Sequence, residues 1–291
     1  MYTLNCKGKL LLVSQPLVMG IINATPDSFY KGHLTSGINE IVSLAGKMIH
    51  DGAAILDIGG QSTRPGSERI SALEEIERVI PVIEAIKSAY PDIVMSVDTY
   101  HTRVAEKAVN AGVSIVNDIS SGTIDKEMIP AVASLKVPYI CMHMKGTPER
   151  MQKEAIYGDV VKEVLDYLIM KMNECKLAGI NDIIVDPGFG FAKTITHNFQ
   201  LLQNLEVFKL LETPILAGLS RKSTVYKTLG IPVEDALNGT TVLNSIALMN
   251  GATILRVHDV KEAVQAIILY NAYKKAGSPL LQPGAMASHQ Q

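Results

Sequence analysis

The sequence has few cysteines, little net charge and no long hydrophobic run, and each absence excludes a class of protein. The three cysteines, Cys6, Cys141 and Cys175, are far apart and not in CxxC spacing. This argues against a disulfide framework or a zinc site and is typical of a reducing compartment. The formal net charge is -2, so we expect no general electrostatic attraction to nucleic acid or to anionic membranes.

The N-terminal region lacks the features of a targeting segment. Lys7 and Lys9 are followed only by a brief apolar run at residues 10–13. This run is too short for a signal-peptide core or a membrane span. We therefore expect a cytoplasmic protein.

Eight short apolar runs alternate with longer helical patterns along most of the chain. Each run is nearly continuous in apolar residues, as expected for parallel strands that are buried on both faces. The runs are residues 17–22, 54–58, 93–97, 113–117, 138–142, 182–186, 214–219 and 252–257. The intervening segments, such as residues 41–49 and 160–172, have the three-to-four-residue apolar spacing of amphipathic helices.

The pattern predicts an α/β fold, a (β/α)8 TIM barrel preceded by a short N-terminal β-hairpin. Eight strand-helix units in about 260 residues match the usual size of such barrels. Residues 3–13 form the predicted hairpin, and Ser71 followed by Glu74 resembles a capping box that begins a helix. An open doubly wound sheet is the alternative, but no GxGxxG follows the first strand. We assign residues 1–276 to a single barrel domain and expect residues 277–291, which lack periodicity, to form a disordered tail.

Polar side chains stand at the carboxyl ends of nearly all the predicted strands. One or two could be helix caps, but a full ring is hard to explain in that way, because buried charges without partners are costly. The ring comprises Asn23, Asp57, Asp98, Asn117, Asp118, His143, Asp186, Ser220, Arg221, Lys222, Arg256, His258 and Asp259.

The ring divides into two chemical halves. Asp98, Asn117, Asp186 and Lys222 suit a flat heterocycle with adjacent N–H groups, since a carboxylate accepts two parallel N–H bonds. The other half, Asn23, Arg64, Arg256 and His258, suits an anion, and the loops after strands seven and eight are the usual phosphate site of these barrels. A histidine alone is more often structural, but beside Arg256 at a strand end His258 is a better candidate for a ligand group. The predicted substrate is a heterocycle that carries a phosphate or diphosphate.

Three loops draw attention by composition. Residues 23–37 and 59–70 are rich in Gly, Pro and hydroxyl residues. They could be simple surface connections, but at this rim such loops commonly act as lids. After Asp186, the Pro-Gly-Phe-Gly-Phe turn carries Phe191 toward the mouth of the barrel.

Seven short motifs in order give the chain a resemblance to the dihydropteroate synthases of folate biosynthesis. The motifs are Gly-Ile-Ile-Asn-Ala-Thr-Pro-Asp-Ser-Phe at residues 20–29, Asp-Ile-Gly-Gly-Gln-Ser-Thr-Arg-Pro-Gly at 57–66, Ser-Val-Asp-Thr at 96–99, Asn-Asp at 117–118, Asp-Pro-Gly-Phe-Gly-Phe at 186–191, Gly-Leu-Ser-Arg-Lys-Ser at 218–223 and Arg-Val-His-Asp at 256–259. The resemblance covers residues 17–270. It implies an enzyme that joins p-aminobenzoate to (7,8-dihydropterin-6-yl)methyl diphosphate and releases pyrophosphate.

The resemblance also implies a role for particular residues. The implied pterin site is Asp98, Asn117, Met142, Asp186, Gly218 and Lys222. The implied diphosphate site is Asn23, Thr63, Arg256 and His258, with Asn23 also a ligand of Mg²⁺. The implied p-aminobenzoate site is Ser62, Thr63, Arg64, Pro65, Phe191, Lys222 and Ser223. Lys222, Arg256, His258 and Asp98 are the implied catalytic residues.

Four positions depart from the usual pattern of the family: Lys31, His33, Gln61 and Thr224 replace the more common Asp, Gly, Glu and a larger apolar residue. Lys31 reverses a charge in the first loop, where it could contact the diphosphate or weaken pairing with Arg64. The resemblance further implies a homodimer and a target of sulfonamides. Two alternatives stay open, a methyltetrahydrofolate-type pterin-binding methyltransferase and a non-catalytic pterin-binding homologue.

Overall fold

A computed structural model of the chain describes residues 1–24, 34–61 and 69–276. The predicted loop residues 25–33 and 62–68 and the predicted tail at 277–291 lie outside these ranges. The strands are β1 (Tyr2–Cys6), β2 (Lys9–Val13), β3 (Leu17–Asn23), β4 (Ile55–Gly59), β5 (Val94–Asp98), β6 (Ile115–Asp118), β7 (Tyr139–Met142), β8 (Ile183–Asp186), β9 (Leu216–Ala217) and β10 (Ile254–Val257). The α-helices are α1 (Leu34–His50), α2 (Ala72–Ala89), α3 (Thr102–Ala111), α4 (Met128–Leu135), α5 (Val160–Ala178), α6 (Ile195–Gln203), α7 (Ser223–Leu229), α8 (Leu237–Met249) and α9 (Val260–Ala276).

Strands β3 to β10 form the predicted parallel barrel. Their order is β8-β7-β6-β5-β4-β3-β10-β9, and each neighbouring pair is parallel. The circle closes where the Val185 N–H donates to the Pro214 carbonyl oxygen at 2.9 Å and Val185 bridges Ile215. The open doubly wound alternative is therefore wrong.

The strands form where the apolar runs predicted them, with one clear difference. Residues 214–219 were expected to be a strand, but the strand is only Leu216–Ala217, preceded by the isolated bridge of Ile215 to Val185. The chain turns immediately afterwards, with the Lys222 N–H donating to the Leu219 carbonyl oxygen at 3.3 Å. Leu219 lies beyond the paired residues but is fully buried in the core, so burial extends the apolar run past the end of the strand.

The N-terminal hairpin closes the lower end of the barrel. β1 and β2 pair in antiparallel register, and the turn between them places Lys7 at φ 54° and Gly8 at φ 87°. Leu4, Cys6 and Val13 pack against the apolar side chains at the amino ends of the barrel strands. The barrel is thus sealed at one end, and a ligand has to enter from the other.

The helix start predicted at Ser71 is confirmed. The Ser71 hydroxyl accepts the Glu74 N–H at 3.2 Å, and α2 starts at the next residue. Asp159 caps α5 by accepting the N–H groups of Val161 and Lys162. No helix in the described ranges is long and apolar enough to span a membrane.

Candidate active site

The side chains inside the barrel change from apolar to mostly polar over two residues along the strands. The lower layer consists of Met19, Ile55, Val94, Ile115, Ile140, Ile184, Leu216 and Ile254, which form one buried cluster. Side chains two residues further along a strand face the same side. That rule gives the upper layer as Ile21, Asp57, Ser96, Asn117, Met142, Asp186, Gly218 and Arg256, with Asn23, Gly59 and Asp98 above it. Seven residues predicted for the site therefore belong to one inward-facing set: Asn23, Asp98, Asn117, Met142, Asp186, Gly218 and Arg256.

The Asp57 carboxylate joins four strands in this set. It is fully buried and accepts hydrogen bonds from the Ser96 hydroxyl, from Asn117 Nδ2 at 3.1 Å and from Arg256 Nε at 2.6 Å. Arg256 Nη2 also donates to Asp98 Oδ2. Arg256 therefore links the two halves of the ring that the sequence separated, because it contacts a carboxylate of the heterocycle half.

Asp98 has a spare acceptor in a buried position. The residue is 7% exposed, and its Oδ1 finds no hydrogen-bond partner among the described residues. Burial raises the pKa of Asp98 to about 7, against the opposing effect of Arg256 and with a further rise from Asp57. A buried polar atom without a partner is costly, so this oxygen is suited to accept a ligand N–H.

Asp186 and Lys222 face each other across the same rim. The Gly188 N–H donates to Asp186 Oδ1 at 2.7 Å, and Lys222 Nζ donates to the Phe189 carbonyl oxygen. Burial raises the pKa of Asp186, and Lys222 opposes the rise. Burial lowers the pKa of Lys222 to about 8, and Asp186 opposes that fall. Each charge thus limits the desolvation cost of the other.

The turn after β8 brings an aromatic ring to this pair. Lys222 Nζ lies 4.8 Å from the centroid of the Phe191 ring, a distance at which cation and ring attract. Gly188 has φ 72°, and a Cβ there would lie 2.0 Å from the His143 carbonyl oxygen. Only glycine fits this position.

A buried amine holds the turn from behind. Lys193 Nζ donates to the carbonyl oxygens of Gly188 at 2.9 Å and Phe191 at 3.0 Å, and it lies 2.9 Å from His143 Nδ1. Burial lowers the pKa of His143 to about 2, so the ring is neutral and its Nδ1 can accept. His143 was predicted to face the ring of polar groups, but it packs behind the turn instead.

Arg256 lies on β10 and His258 follows directly after its end, but the surroundings of the two side chains differ. The His258 N–H donates to the Ser220 hydroxyl oxygen at 3.2 Å, and that oxygen lies 3.0 Å from His258 Nδ1. When the Ser220 hydroxyl donates to Nδ1, the ring proton lies on Nε2, so the direction of this contact sets the tautomer. Ser220 thereby connects the loop after β9 to the loop after β10.

Three other members of the predicted ring, Arg221, Asp259 and Asp118, are structural. Arg221 donates to both oxygens of Asp259, at 2.8 and 2.9 Å. Asp118 follows Asn117 on β6 and faces the opposite side, where it accepts from Ser120, Gly122 and Tyr139. Strand alternation explains the difference between Asn117 and Asp118, because successive side chains point to opposite faces.

The remaining predicted residues have simpler positions. Met142 is buried in a cluster with Phe191, and Ser223 begins α7 directly after Lys222. Asn23 ends β3 with an exposed side chain. The described residues contain no group of three or more His, Cys, Asp or Glu that could hold a metal ion. Ser62, Thr63, Arg64 and Pro65, together with Lys31 and His33, lie outside the described ranges.

Asp57, Ser96 and Lys193 have structural roles that the sequence motifs did not indicate. Asp57 and Ser96 could have been found by counting back two residues from Gly59 and Asp98, because that step preserves the face of a strand. Lys193 has no such signal, since its importance comes from two carbonyl oxygens of a folded turn.

Comparison with known proteins agrees with this architecture. The profile of the family described as pterin binding enzyme matches residues 19–258. Dihydropteroate synthase of Escherichia coli (strain K12) is 42% identical over 268 residues, which cover 91% of this chain and 94% of that protein. The structure of Xanthomonas albilineans dihydropteroate synthase with 4-aminobenzoic acid has a TM-score of 0.87 and 38% identity, covering 94% of this chain and 98% of that one. The Yersinia pestis enzyme in complex with a sulfonamide drug has a TM-score of 0.88 and 39% identity, covering 94% and 100%. The chain belongs to the dihydropteroate synthase family of pterin-binding enzymes.

Proposed function

We propose that this protein is a dihydropteroate synthase, a transferase of folate biosynthesis. It condenses p-aminobenzoate with (7,8-dihydropterin-6-yl)methyl diphosphate to give 7,8-dihydropteroate and pyrophosphate. The observation that carries this proposal is the inward-facing layer that places three acceptor side chains, Asp98, Asn117 and Asp186, beside the cations Lys222 and Arg256. Membership of the family and the related enzyme that binds 4-aminobenzoic acid support the same function.

The pterin occupies the upper layer of the barrel in this proposal. The buried carboxylates of Asp98 and Asp186 accept its N–H groups, and Lys222 donates to the ring. Asn117 contacts an edge of the ring that carries both donors and acceptors. Met142 and Gly218 form apolar walls. The unpartnered Asp98 Oδ1 supports this assignment, because a ring N–H would satisfy it.

The diphosphate lies toward Arg256, His258, Thr63 and Asn23. Cleavage of the carbon–oxygen bond sends its electron pair to the diphosphate, and the electron-rich pterin delocalises the positive charge left on the carbon. Arg256 and the Nε2 proton of His258 stabilise the departing anion electrostatically. Arg256 has to share its charge between this anion and two carboxylates, which keeps the guanidinium oriented before the substrate arrives.

The amine of p-aminobenzoate then attacks the carbon, forms the new carbon–nitrogen bond and loses one proton to solvent or to pyrophosphate. An aromatic amine is a competent nucleophile when neutral, so no strong general base is needed. Phe191, Lys222 and Ser223 provide the floor of its site, and the resemblance to the family assigns Ser62, Thr63, Arg64 and Pro65 to the same substrate. Exclusion of water by the two loops protects the cation from hydrolysis.

Mg²⁺ is the cofactor that this chemistry favours. The ion keeps several waters and is commonly bound through one protein oxygen together with substrate phosphates. The carboxamide oxygen of Asn23, at the open end of β3, fits that role. Bound there, the ion would neutralise charge on the diphosphate leaving group.

We also propose a cytoplasmic homodimer in which residues 1–276 form one domain. Exposed apolar side chains on α8 and α9 support the dimer: Val242, Ile246, Met249, Ile268, Leu269 and Tyr273. Leu269 is 71% exposed, so Leu269→Glu should leave the fold intact and give a monomer in analytical ultracentrifugation. A dimer of unchanged affinity would place the interface elsewhere.

A coupled assay for pyrophosphate tests the function. The enzyme should release pyrophosphate only when both the pterin diphosphate and p-aminobenzoate are present. Tight pterin binding without such release would favour the non-catalytic homologue. Methyl transfer from methyltetrahydrofolate to a corrinoid would favour the methyltransferase, which has no use for an anion site at Arg256.

A further inference from the structure

We propose that Asp57 is a positioning residue that fixes the amide orientation of Asn117 and thereby determines which heterocycle the site accepts. This inference rests on the proposed function, because it assumes that Asn117 faces the pterin. Neither the motif comparison nor the predicted ring gave Asp57 a role.

The Asp57 carboxylate is the acceptor in each hydrogen bond that it makes with the described residues. Ser96 Oγ donates to Oδ1, while Asn117 Nδ2 and Arg256 Nε donate to Oδ2. The carboxylate is fully buried, so it has no exchange with bulk water. Toward each of these three groups the carboxylate is the acceptor.

An acceptor-only neighbour removes the usual ambiguity of an amide side chain. If Asn117 turned over, its Oδ1 would face the Oδ2 of Asp57, and two buried oxygen atoms without a shared proton repel each other. The Nδ2 group of Asn117 must therefore face Asp57. The planar amide then presents Oδ1 on the side away from Asp57, where a ring N–H is its natural partner.

The position of the two residues makes this control effective. Asp57 lies on β4 and Asn117 on β6, and Ser96 on β5 stands between them with its hydroxyl directed to Asp57. All three belong to strands whose backbones are held by neighbours on both sides. Rigid strands keep such a constellation within the small tolerance that recognition requires.

The experiment compares two rings that differ at one edge. Dissociation constants of 6-hydroxymethylpterin and of 6-hydroxymethyllumazine, in which an oxo group replaces the 2-amino group, are measured by calorimetry. The ratio of the two constants reports the discrimination. Any contribution of Asp186 to this ratio is common to all variants and cancels.

Asp57→Asn is the main variant, because it keeps the size of the side chain but adds an N–H donor that can face Asn117 Oδ1. Both orientations of Asn117 are then allowed, so the preference for pterin over lumazine should fall about tenfold, as for the loss of one directed hydrogen bond. Asp118→Asn is the matched control. It neutralises another fully buried carboxylate, one residue from Asn117 but on the opposite face, and should leave the ratio unchanged.

Each outcome decides between a specific role and a general one. An equal loss of affinity for both rings in Asp57→Asn would overturn the inference, because a residue that only supports the barrel weakens both. An equally lowered ratio in Asp118→Asn would overturn it too. If circular dichroism shows that Asp57→Asn does not fold, Ser96→Ala replaces it, with an expected two- to threefold lower ratio and an unchanged ratio as the refuting result.

Pyrophosphate release by the wild-type protein separates this inference from the proposed function. Normal release with an unchanged ratio in Asp57→Asn refutes only the role of Asp57. A lowered ratio without release dependent on p-aminobenzoate refutes only the synthase. A wild-type protein that binds neither ring refutes both.

Discussion

Asp186→Asn is the substitution with the most direct consequence for the proposed pterin site. Asp186 is 6% exposed, and its Oδ1 accepts the Gly188 N–H at 2.7 Å. In the variant, the asparagine Oδ1 keeps the hydrogen bond from the Gly188 N–H, because a buried donor without a partner is costly. Its Nδ2 group then faces the ring, so a donor meets a donor where the carboxylate accepted.

The expected loss follows from these contacts. A hydrogen bond to a charged group contributes about 1.5–3 kcal/mol, and here the bond is replaced by an unfavourable donor pair. We expect a loss near the upper part of this range, about 2–3 kcal/mol, or about 30- to 150-fold in the dissociation constant. Asp186 also opposes the fall in the pKa of Lys222, so its removal should lower that pKa below about 8 and shift the alkaline loss of binding to lower pH.

Calorimetry with the pterin diphosphate measures both effects, and Asp182→Asn is the control. Asp182 precedes the same strand at its other end, where Oδ2 accepts the Asn5 N–H at 3.2 Å. This variant should bind the pterin like the wild type. Unchanged affinity in Asp186→Asn, in a protein that melts normally, would refute the assignment of Asp186 to the pterin edge.

Three further predictions concern the surroundings of the site. Gly188→Ala should abolish activity and destabilise the fold, because its Cβ would lie 2.0 Å from a carbonyl oxygen. The control Gly179→Ala, with φ 99° and no described atom within 4 Å, should cost only about 1 kcal/mol of strain. Equal melting temperatures for the two variants would contradict this reasoning. The kcat/KM value should fall as pH rises through about 8, since Lys222 is charged below this pKa and neutral above it. Lys222→Arg should remove this fall from the pH profile. A fall that persists in the variant would show that another group titrates. Arg221→Met should lower the free energy of unfolding by about 2 kcal/mol, because it leaves the largely buried Asp259 carboxylate without its two donors, and urea titration with an unchanged midpoint would show that the pair contributes nothing.

The barrel could be predicted because its signals are local. Parallel strands covered on both faces need continuous apolar runs, and the helices between them need apolar residues every three to four positions. The alternation of these two patterns along the chain gives eight strand-helix units. The strand predicted at residues 214–219 is too long, because an apolar run shows burial and does not show where strand pairing ends.

The positions of the polar ring residues could be predicted only in part. The inward positions of Asp98, Asn117 and Asp186 could be predicted, because these residues lie at or next to the carboxyl ends of strands and alternation places them inside. Asp118 and His143 end strands as well, yet they face away from the barrel interior or lie behind a turn. A one-residue difference in position changes the face of a side chain, and a strand boundary read from sequence is not accurate to one residue.

The sequence by itself determined the architecture and the kinds of group at the rim, since both follow from patterns within single strand-helix units. Only the tertiary structure decided which charges share partners. Arg256 contacts Asp57 and Asp98, which are 199 and 158 residues away, while Arg221 is bound to Asp259. Two arginines with equal chemistry therefore have different partners. The physical reason is that the register of strands around a closed barrel sets these contacts, and no local stretch of sequence encodes that register.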